Sequence, residues 1–338
     1  IDPASMVIEP LALVADDGSL IPVLADAIPT VENGGIAPDF THVTWKLKPG
    51  LLWSDGSPVT AGDVKFTADY CMAPEFGCAV LAEFEGISSV EVIDDLTVRI
   101  SFDSPKYVPL QAFVGGRTPI LQKAQFQGCT GAAGASCSDQ NFGPIGTGPF
   151  RVTSFAPGDV AQFEANPHYR DPAKPAFASV IVKGGGDAMA AARAVLETGE
   201  YDFAWNLQLD PETVARMEAA GKGVVYASFG SMVERIELNQ SDPSSDLPAG
   251  ERATLAHPHP FLTDPAVRRA LSMAIDRPLV AELTYGPSGV ATCTITPVPA
   301  AFASDDTTCL TQDIEGARAL LDQAGWIPGA DGVREKDE

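Results

Sequence analysis

The sequence marks the start and the end of its helices in the same way several times. Asp210 and Asp264 are each followed by proline, which places an N-cap carboxylate directly before a proline at the first helical position. Gly199, Gly221 and Gly325 follow helical runs and are typical helix stops. Short runs of alternating apolar residues lie between these helices. This order of helices and strands predicts α/β domains.

The stretch "LLWSDGSPVTAGDVKFTADY", residues 51–70, combines a turn with a helix start. The run "HVTWKLK" before it alternates apolar and polar residues, which predicts a half-buried strand. Asp55 lies in a tight Ser-Asp-Gly turn, and Thr60 with Asp63 matches a capping box. The two aspartates could be an acid/base pair. Since each already has a local structural role, we interpret the stretch as scaffolding.

Two further runs have strand character. "KGVVYAS" and "MVERIELN" are rich in β-branched and aromatic residues and follow the helix that we expect to end at Gly221. A third such run, residues 201–205, comes directly after the helix that ends at Gly199. All three are predicted to be strands.

Length and charge limit the class of protein. A chain of 338 residues is too long for one ordinary core, so two or more domains are expected. Its formal net charge of −23 repels phosphate backbones and anionic lipids, which disfavours nucleic-acid and membrane-surface partners. No run of eighteen apolar residues is present, so the sequence predicts no membrane span.

The six cysteines indicate an oxidising compartment. None has the C-x-x-C spacing of a zinc or redox site. Fifteen connectivities are possible, and six reduced, buried thiols are an alternative, but loop closure favours pairing between near neighbours. We therefore predict three local disulfides in an exported protein. The predicted pairs are Cys71–Cys78, Cys129–Cys137 and Cys293–Cys309.

The N-terminal residues "IDPASMVIEP" have neither the basic region nor the apolar region of a signal peptide. An exported protein needs such a signal. We therefore expect that it was removed before this sequence begins.

Motifs for catalysis and for cofactors are absent from the sequence. It has no Gly-Lys-Ser/Thr phosphate loop, no G-x-S-x-G elbow and no H-E-x-x-H pair. Only His257 and His259 are close to each other, and no cysteine or third histidine lies near them in the sequence. A Ser/His/Asp triad need not be local in sequence, so that alternative stays open. We predict a non-enzymatic protein without catalytic residues, metal or cofactor.

Four segments occur in an order that resembles a known family. They are "WSDGSPVTAGDVKFTADY", "GTGPFRVTSFAPGD…FEANPHYRD", "LETGEYDFAWN" and "DPAVRRALSMAIDR". The chain is similar to the family 5 extracellular solute-binding proteins, the receptors of peptide and nickel ABC importers. The resemblance implies a periplasmic-binding-protein-like α/β fold of type II, with two lobes that close on a ligand.

The same resemblance implies partners and a location. The expected partners are a small-molecule or peptide-like solute and the permease subunits of an ABC importer, with no nucleic acid, and the protein is expected to be a monomer. Its expected location is periplasmic or extracellular, with membrane tethering of the full-length precursor as an option.

The family pattern also divides the chain. Residues 1–20 and 149–240 would form the core of the first lobe, and residues 21–148 a subdomain of that lobe. Residues 241–338 would be the start of an incomplete second lobe, because family members continue beyond the landmark "DGVR". We therefore expect weaker protection after residue 240 and weak ligand binding by this chain alone.

Four residues are predicted to contact the ligand. Trp205, Asn206 and Gln208 lie at the end of the predicted strand 201–205, where ligands bind in open α/β sheets. An aromatic face and two amides suit a peptide backbone. Arg117 follows a segment that edges the cleft in the family and could meet a carboxylate. In the alternative interpretation, Trp205 is a core residue and Arg117 a surface residue.

Two other function classes remain open at this point. A secreted hydrolase on a similar α/β scaffold would cleave peptides instead of delivering them. A sensor ectodomain of the same fold would signal instead of supplying an importer.

Overall fold

A computed structural model describes residues 2–73, 78–207, 209–298 and 300–336. The chain divides into two compact units, Ile1–Gly185 (unit 1) and Gly186–Glu338 (unit 2). Within the described ranges, no helix is long and apolar enough to cross a membrane. The division into parts at residues 20, 148 and 240 stays a prediction.

Unit 1 contains three antiparallel sheets in its described part. The first is a hairpin of β1 and β2, the second has the order β3–β5–β4, and the third has the order β6–β7–β8. The strands are β1 Ala12–Val14, β2 Leu20–Pro22, β3 His42–Lys46, β4 Ile87–Asp94, β5 Thr97–Phe102, β6 Phe150–Phe155, β7 Val160–Ala165 and β8 Ser179–Lys183. The helices are α1 Ala61–Met72, α2 Lys123–Phe126 and α3 Ser138–Phe142.

The main core of unit 1 lies between the β3–β5–β4 sheet and α1. Trp45 of β3 is fully buried and is paired with Val98 of β5. Val64 and Ala68 of α1 are buried in the same cluster. The predicted half-buried strand and the predicted helical stripe are thus confirmed, because alternation at period 2 and spacing at 3.6 residues put these side chains on the covered faces.

The start of α1 is built as the sequence predicts. The Asp63 carboxylate accepts hydrogen bonds from the Thr60 backbone N–H at 2.9 Å and from its hydroxyl at 3.1 Å. The Asp55 carboxylate accepts from the backbone N–H of Ser57 at 2.9 Å, which closes the turn. The structural interpretation of both aspartates is therefore confirmed.

The N-terminal segment of unit 1 packs on its third sheet. Val7 is buried with Phe150 and Phe163, and Met6 and Ile8 pack against the same cluster. The contact is close: a Cβ atom added at Gly146 would lie 1.8 Å from the carbonyl oxygen of Val7. Only glycine fits there, which explains the first glycine of the "GTGPF" segment.

A buried ion pair fixes the same segment by charge. Both carboxylate oxygens of Glu9 accept hydrogen bonds from the Arg170 guanidinium, at 2.5 and 2.9 Å, and Thr147 Oγ1 donates to Glu9 at 3.1 Å. Glu9 is only 7% exposed. Burial would lower the pKa of Arg170, but the hydrogen bonds and the charge of Glu9 outweigh it, so this pKa is raised above its ordinary value.

Unit 2 is mainly helical in its described part. Its helices are α4 Ala188–Arg193, extended by one turn of π-helix at Ala194–Thr198, α5 Pro211–Glu218, α6 Pro265–Met273, α7 Arg277–Tyr285 and α8 Ile314–Gln323. A short antiparallel hairpin follows, with β9 Ile327–Pro328 and β10 Arg334–Glu335. The predicted caps are confirmed: Asp210 accepts from the backbone N–H of Thr213 at 2.8 Å and Asp264 from that of Ala266 at 2.9 Å.

The two strands predicted from "KGVVYAS" and "MVERIELN" are wrong for this structure. Residues 222–239 have no strand assignment, and no other described strand pairs with them. Tyr226 is 88% exposed and Met232 94% exposed. A β-rich composition becomes a strand only where a neighbour satisfies its backbone N–H and C=O groups. The sequence shows the composition of these two runs, but it does not show whether a partner strand lies beside them.

The three predicted disulfides are confirmed. The Sγ–Sγ distances are 1.87 Å for Cys71–Cys78, 2.12 Å for Cys129–Cys137 and 2.03 Å for Cys293–Cys309. Their Cα–Cα distances of 5.1, 5.9 and 5.7 Å lie in the range that a disulfide requires. Short separations of 7, 8 and 16 residues therefore led to the right connectivity.

Asp264 links the start of α6 to the C-terminal hairpin of unit 2. Its carboxylate accepts hydrogen bonds from Trp326 Nε1 and from Lys336 Nζ, both at 3.0 Å. These hydrogen bonds, with that of Trp326 first, lower the pKa of Asp264 from 3.8 to about 2. The ionised carboxylate is thus the form that the folded chain prefers.

We predict that Glu9→Gln destabilises unit 1 far more than a surface substitution of the same kind. Arg170 would remain about three-quarters buried without its counter-charge, at a cost of about 2–4 kcal/mol. The matched control is Glu164→Gln, which breaks the exposed Arg151–Glu164 pair and should cost less than about 1 kcal/mol. Urea unfolding of both variants measures the difference, and equal costs would contradict the prediction.

Asp264 should give unit 2 a pH-dependent stability. Because the folded pKa is lowered, the contribution is complete above pH 3.8 and is lost as the pH falls towards about 2. Asp264→Asn removes the titrating group and keeps a good N-cap residue. The difference in urea midpoint between wild type and this variant should shrink between about pH 4 and pH 2. A difference that stays constant over this range would refute the role of the charge.

Candidate functional site

The residues predicted to contact the ligand do not have the setting that was expected. Trp205 is 66% exposed and Asn206 is exposed, both in unit 2. Arg117 is exposed in unit 1. Gln208 lies outside the described residues, so its predicted role stays a prediction. The alternative interpretation of Trp205 as a core residue is wrong.

Residues 201–205 do not form the predicted strand. Asn206 has φ = 54°, a left-handed conformation that interrupts an extended run. Every pairing among the described strands of both units is antiparallel. The rule that ligands bind at the carboxyl ends of parallel strands therefore does not apply to this segment. What remains of the prediction is an exposed indole beside an exposed amide.

Apolar anchors hold this segment on the surface of unit 2. Leu207 and Leu209 pack against a buried cluster formed by Ala192, Leu196 and Met217. Phe203, a few residues before Leu207, is 77% exposed. A short loop is held in place where its apolar side chains are buried. Leu207 and Leu209 therefore hold the segment on unit 2 while Trp205 faces the solvent.

A second strand-like run is attached to the same cluster. Val225 packs against it, and the backbone N–H of Val225 donates to the Glu218 carboxylate at 2.7 Å. Its neighbours Val224 and Tyr226 are exposed. Phe203 and Tyr226 are candidate contact residues that the sequence reasoning missed. The period-2 alternation around Val225 was the available signal, because it separates anchors from exposed side chains.

Arg117 is presented by a turn. Gly115 has φ = 87°, and the Thr118 hydroxyl donates to the carbonyl of Val114 at 3.1 Å. No described residue forms a hydrogen bond or an ion pair with the Arg117 guanidinium. Because guanidinium groups form paired hydrogen bonds with carboxylates, this side chain can bind an anionic group.

The described residues form no metal site. No group of three or more His, Cys, Asp and Glu side chains there could hold an ion. His257 Nε2 lies 2.8 Å from the Glu251 carboxylate, and His259 Nδ1 accepts from the backbone N–H of Leu262 at 3.1 Å. Each histidine thus has a local structural contact, and the "HPHP" segment gives no sign of metal chemistry.

Comparison with known proteins relates the chain to one family. The family model described as "Bacterial extracellular solute-binding proteins, family 5 Middle" matches residues 19–338. Protein XP55 of Streptomyces lividans is 29% identical over 325 residues, which cover 95% of this chain and 53% of that protein. A Brucella ovis protein named as an ABC transporter peptide-binding protein is 28% identical over 318 residues, which cover 93% of this chain and 54% of that protein. The chain thus spans about half the length of the curated relatives it matches.

The fold is also similar to that of solved structures. The crystal structure of NikA from Brucella suis in complex with Fe(III)-EDTA superposes with a TM-score of 0.71 at 25% identity. The match covers 99% of this chain and 62% of NikA. The type II periplasmic-binding-protein fold expected from the sequence is therefore confirmed.

We predict that residue 206 tolerates glycine better than alanine. At φ = 54°, alanine is strained by about 1 kcal/mol, whereas glycine adopts this conformation freely. Asn206→Ala should thus be less stable than Asn206→Gly in urea unfolding, although both lack the amide. If alanine were as stable as glycine, the left-handed conformation at Asn206 would be wrong.

Proposed function

Because the chain belongs to the bacterial extracellular solute-binding proteins of family 5, we propose that it acts in the receptor of an ABC importer and binds a peptide-like solute. Trp205, Asn206, Gln208 and Arg117 are its proposed contacts. The partners in this proposal are the permease subunits of the importer, and the location is periplasmic or extracellular. The name of the Brucella ovis relative supports a peptide as the solute class.

The exposed pair Trp205–Asn206 is the observation that carries this proposal. An indole face contacts the apolar parts of a peptide, and an amide offers both a donor and an acceptor to its backbone. Leu207 and Leu209 fix the chain next to this pair. The surface is thus polar, aromatic and anchored, which suits reversible binding of a flexible solute.

Arg117 supplies a positive charge, and positive charges are in the minority in this chain. The chain has 22 basic against 45 acidic residues. A guanidinium without an ion pair among the described residues is therefore a specific partner for the terminal carboxylate of a peptide. We propose this role for Arg117.

The packing of unit 1 supports part of the proposed lobe boundaries. Met6, Val7 and Ile8 pack with the β6–β8 sheet, which supports the grouping of residues 1–20 with the part of 149–240 that lies in unit 1. Residues of the range 21–148 dominate a separate cluster around Trp45 and Phe113, as proposed for the subdomain. That residues 241–338 begin the second lobe stays a proposal.

A binding role needs no catalytic residues, and we propose that the chain is not an enzyme. Asp55 and Asp63 are the two carboxylates that could have formed an acid/base pair. Asp55 accepts a hydrogen bond within a turn, and Asp63 accepts one at the N-terminus of α1. No observation favours a secreted hydrolase or a sensor ectodomain over a receptor.

The proposal is tested by titration calorimetry of the 338-residue protein with trialanine. Trp205→Ala, Asn206→Gly and Gln208→Ala should each weaken binding by about tenfold, the effect of losing about 1.4 kcal/mol. Arg117→Gln should weaken trialanine binding but leave the binding of trialanine amide unchanged, because the amide lacks the carboxylate.

The matched control is Phe302→Ala, which removes an aromatic residue of unit 2 with similar exposure, 74%, from outside the site. It should bind trialanine as wild type does. Circular dichroism checks that each variant is folded. Affinity that is unchanged in all four site variants, or a wild-type protein that cleaves trialanine, would overturn the proposal.

A further inference from the structure

One asparagine of unit 2 lies in an acceptor motif that the proposed function does not use. Asn239 is followed by Gln240 and Ser241, which is the Asn-X-Ser/Thr pattern of N-linked glycosylation with a residue other than proline in the middle. None of the other asparagines in the sequence has serine or threonine two positions later. The motif thus singles out one side chain of this chain.

The structure gives the motif the accessible setting that it needs. Asn239 is exposed, and residues 222–239 belong to no helix or strand. Within the part of the chain that the structure describes, no backbone–backbone hydrogen bond involves residues 231–239. A transferase has to draw the acceptor segment into its own active site, and an unpaired segment enters without losing such hydrogen bonds. The acceptor is therefore accessible in the folded chain.

The Ser241 hydroxyl lies against the acceptor amide. Its Oγ donates to Asn239 Oδ1 at 2.7 Å, and the backbone N–H of Ser241 donates to the same oxygen at 3.0 Å. Asn239 Nδ2 donates to no described residue. Hydrogen bonds to the oxygen polarise the amide and favour the loss of a proton from its nitrogen. The nitrogen, to which a glycan would be bonded, is thus left for the transfer.

The chain is attached to the rest of unit 2 directly after the acceptor. The carbonyl of Gln240 accepts a hydrogen bond from the backbone N–H of His259 at 2.8 Å, and Ser241 forms an isolated bridge with Pro258. Binding to a transferase therefore has to open one local contact on this side of Asn239 and none on the other.

An exposed carboxylate lies two residues before the acceptor. The Glu237 side chain is 73% exposed, and Arg235 Nε donates to it at 2.8 Å. An exposed ion pair of this kind contributes little to stability, so Glu237 can exchange Arg235 for a basic side chain of another protein. Glu237 thus offers a transferase a charged contact in addition to the Ser241 hydroxyl.

The surroundings of the chain in the cell also suit this modification. The Cys293–Cys309 disulfide in the same unit indicates an oxidising compartment, and the family consists of extracellular proteins. N-glycans are attached to surface segments of exported proteins. The inference therefore rests on the proposed location, but it does not depend on solute binding.

We propose that Asn239 is the acceptor of an N-linked oligosaccharide. The donor is an oligosaccharide joined through its anomeric carbon, C1, to a polyprenyl pyrophosphate, and an oligosaccharyltransferase catalyses the transfer. Asn239 Nδ2 forms a bond to C1 while the bond between C1 and the pyrophosphate oxygen breaks. The polyprenyl pyrophosphate leaves with the bonding electrons, and water takes up the proton that Nδ2 loses. Nothing is oxidised or reduced in this step.

Transfer to the folded 338-residue protein tests the proposal. The protein is incubated without denaturant with a bacterial oligosaccharyltransferase and a polyprenyl-pyrophosphate-linked oligosaccharide. Its intact mass should rise by the mass of one oligosaccharide less one water. Trypsin then cleaves after Arg235 and Arg252 and releases a peptide with a single asparagine. Tandem mass spectrometry should place the added mass on Asn239.

Variants separate the motif from general reactivity. Asn239→Gln and Ser241→Ala should each abolish transfer, because the first lacks the acceptor and the second the hydroxyl. Ser241→Thr keeps the hydroxyl and should be glycosylated as wild type is. Glu237→Gln keeps the acceptor and the hydroxyl but loses the charge, and should be glycosylated about tenfold more slowly. Circular dichroism checks that each variant is folded.

Two controls complete the experiment. Asn206 is an exposed asparagine of the same unit with glutamine two positions later, and it should carry no glycan. A synthetic peptide of residues 230–246 carries the motif without the fold, and it should be glycosylated like the protein.

Four outcomes would overturn the proposal. Transfer to the peptide but not to the protein would mean that the fold hides the motif, and transfer to neither would mean that the sequence is no acceptor. Glycosylation of Asn206 to the same extent as Asn239, or of Ser241→Ala as fast as wild type, would mean that the motif is not recognised. Since none of these readouts involves a solute, failure here would leave the proposed function unchanged.

Discussion

The buried ion pair between Glu9 and Arg170 ties together parts of unit 1 that are 161 residues apart in sequence. Two charges removed from water are stable only if each satisfies the other and their remaining hydrogen bonds are made. Here both Glu9 oxygens bind the guanidinium, and Thr147 completes the set. The pair works with the close contact of Gly146 and Val7 to hold the N-terminal segment on the third sheet. The glycine-rich "GTGPF" segment is thus explained by packing and needs no ligand.

Hydrogen bonds within the chain also decide which polar groups remain available for binding. Asp55 and Asp63 could be an acid/base pair in the sequence, but a turn and a helix cap use their oxygens. The residues around Trp205 differ from these aspartates because they are exposed to solvent. Amides and aromatic rings bind ligands without performing chemistry on them. This selection agrees with membership of a solute-binding family.

Local rules predicted local features well. Helix caps at Thr60, Asp210 and Asp264 and the three disulfides follow from interactions over a few residues, which a single sequence contains. The ordered motifs predicted the type II fold correctly. The premise of the candidate site, a strand at residues 201–205, was wrong. Asn206 turns the chain there, and no local pattern distinguishes an asparagine that adopts a left-handed conformation from one that does not.

The sequence by itself determined where helices begin and end, which faces of β3 and α1 are buried, which cysteines pair and which family the chain resembles. Those properties depend on the spacing of residues along the chain. Only the tertiary structure decided that the runs within 222–239 have no partner strand, that Trp205 is exposed, and that Glu9 meets Arg170. These outcomes depend on which distant backbone or side-chain groups come close enough to satisfy a hydrogen bond or a charge, and a one-dimensional pattern does not contain that information.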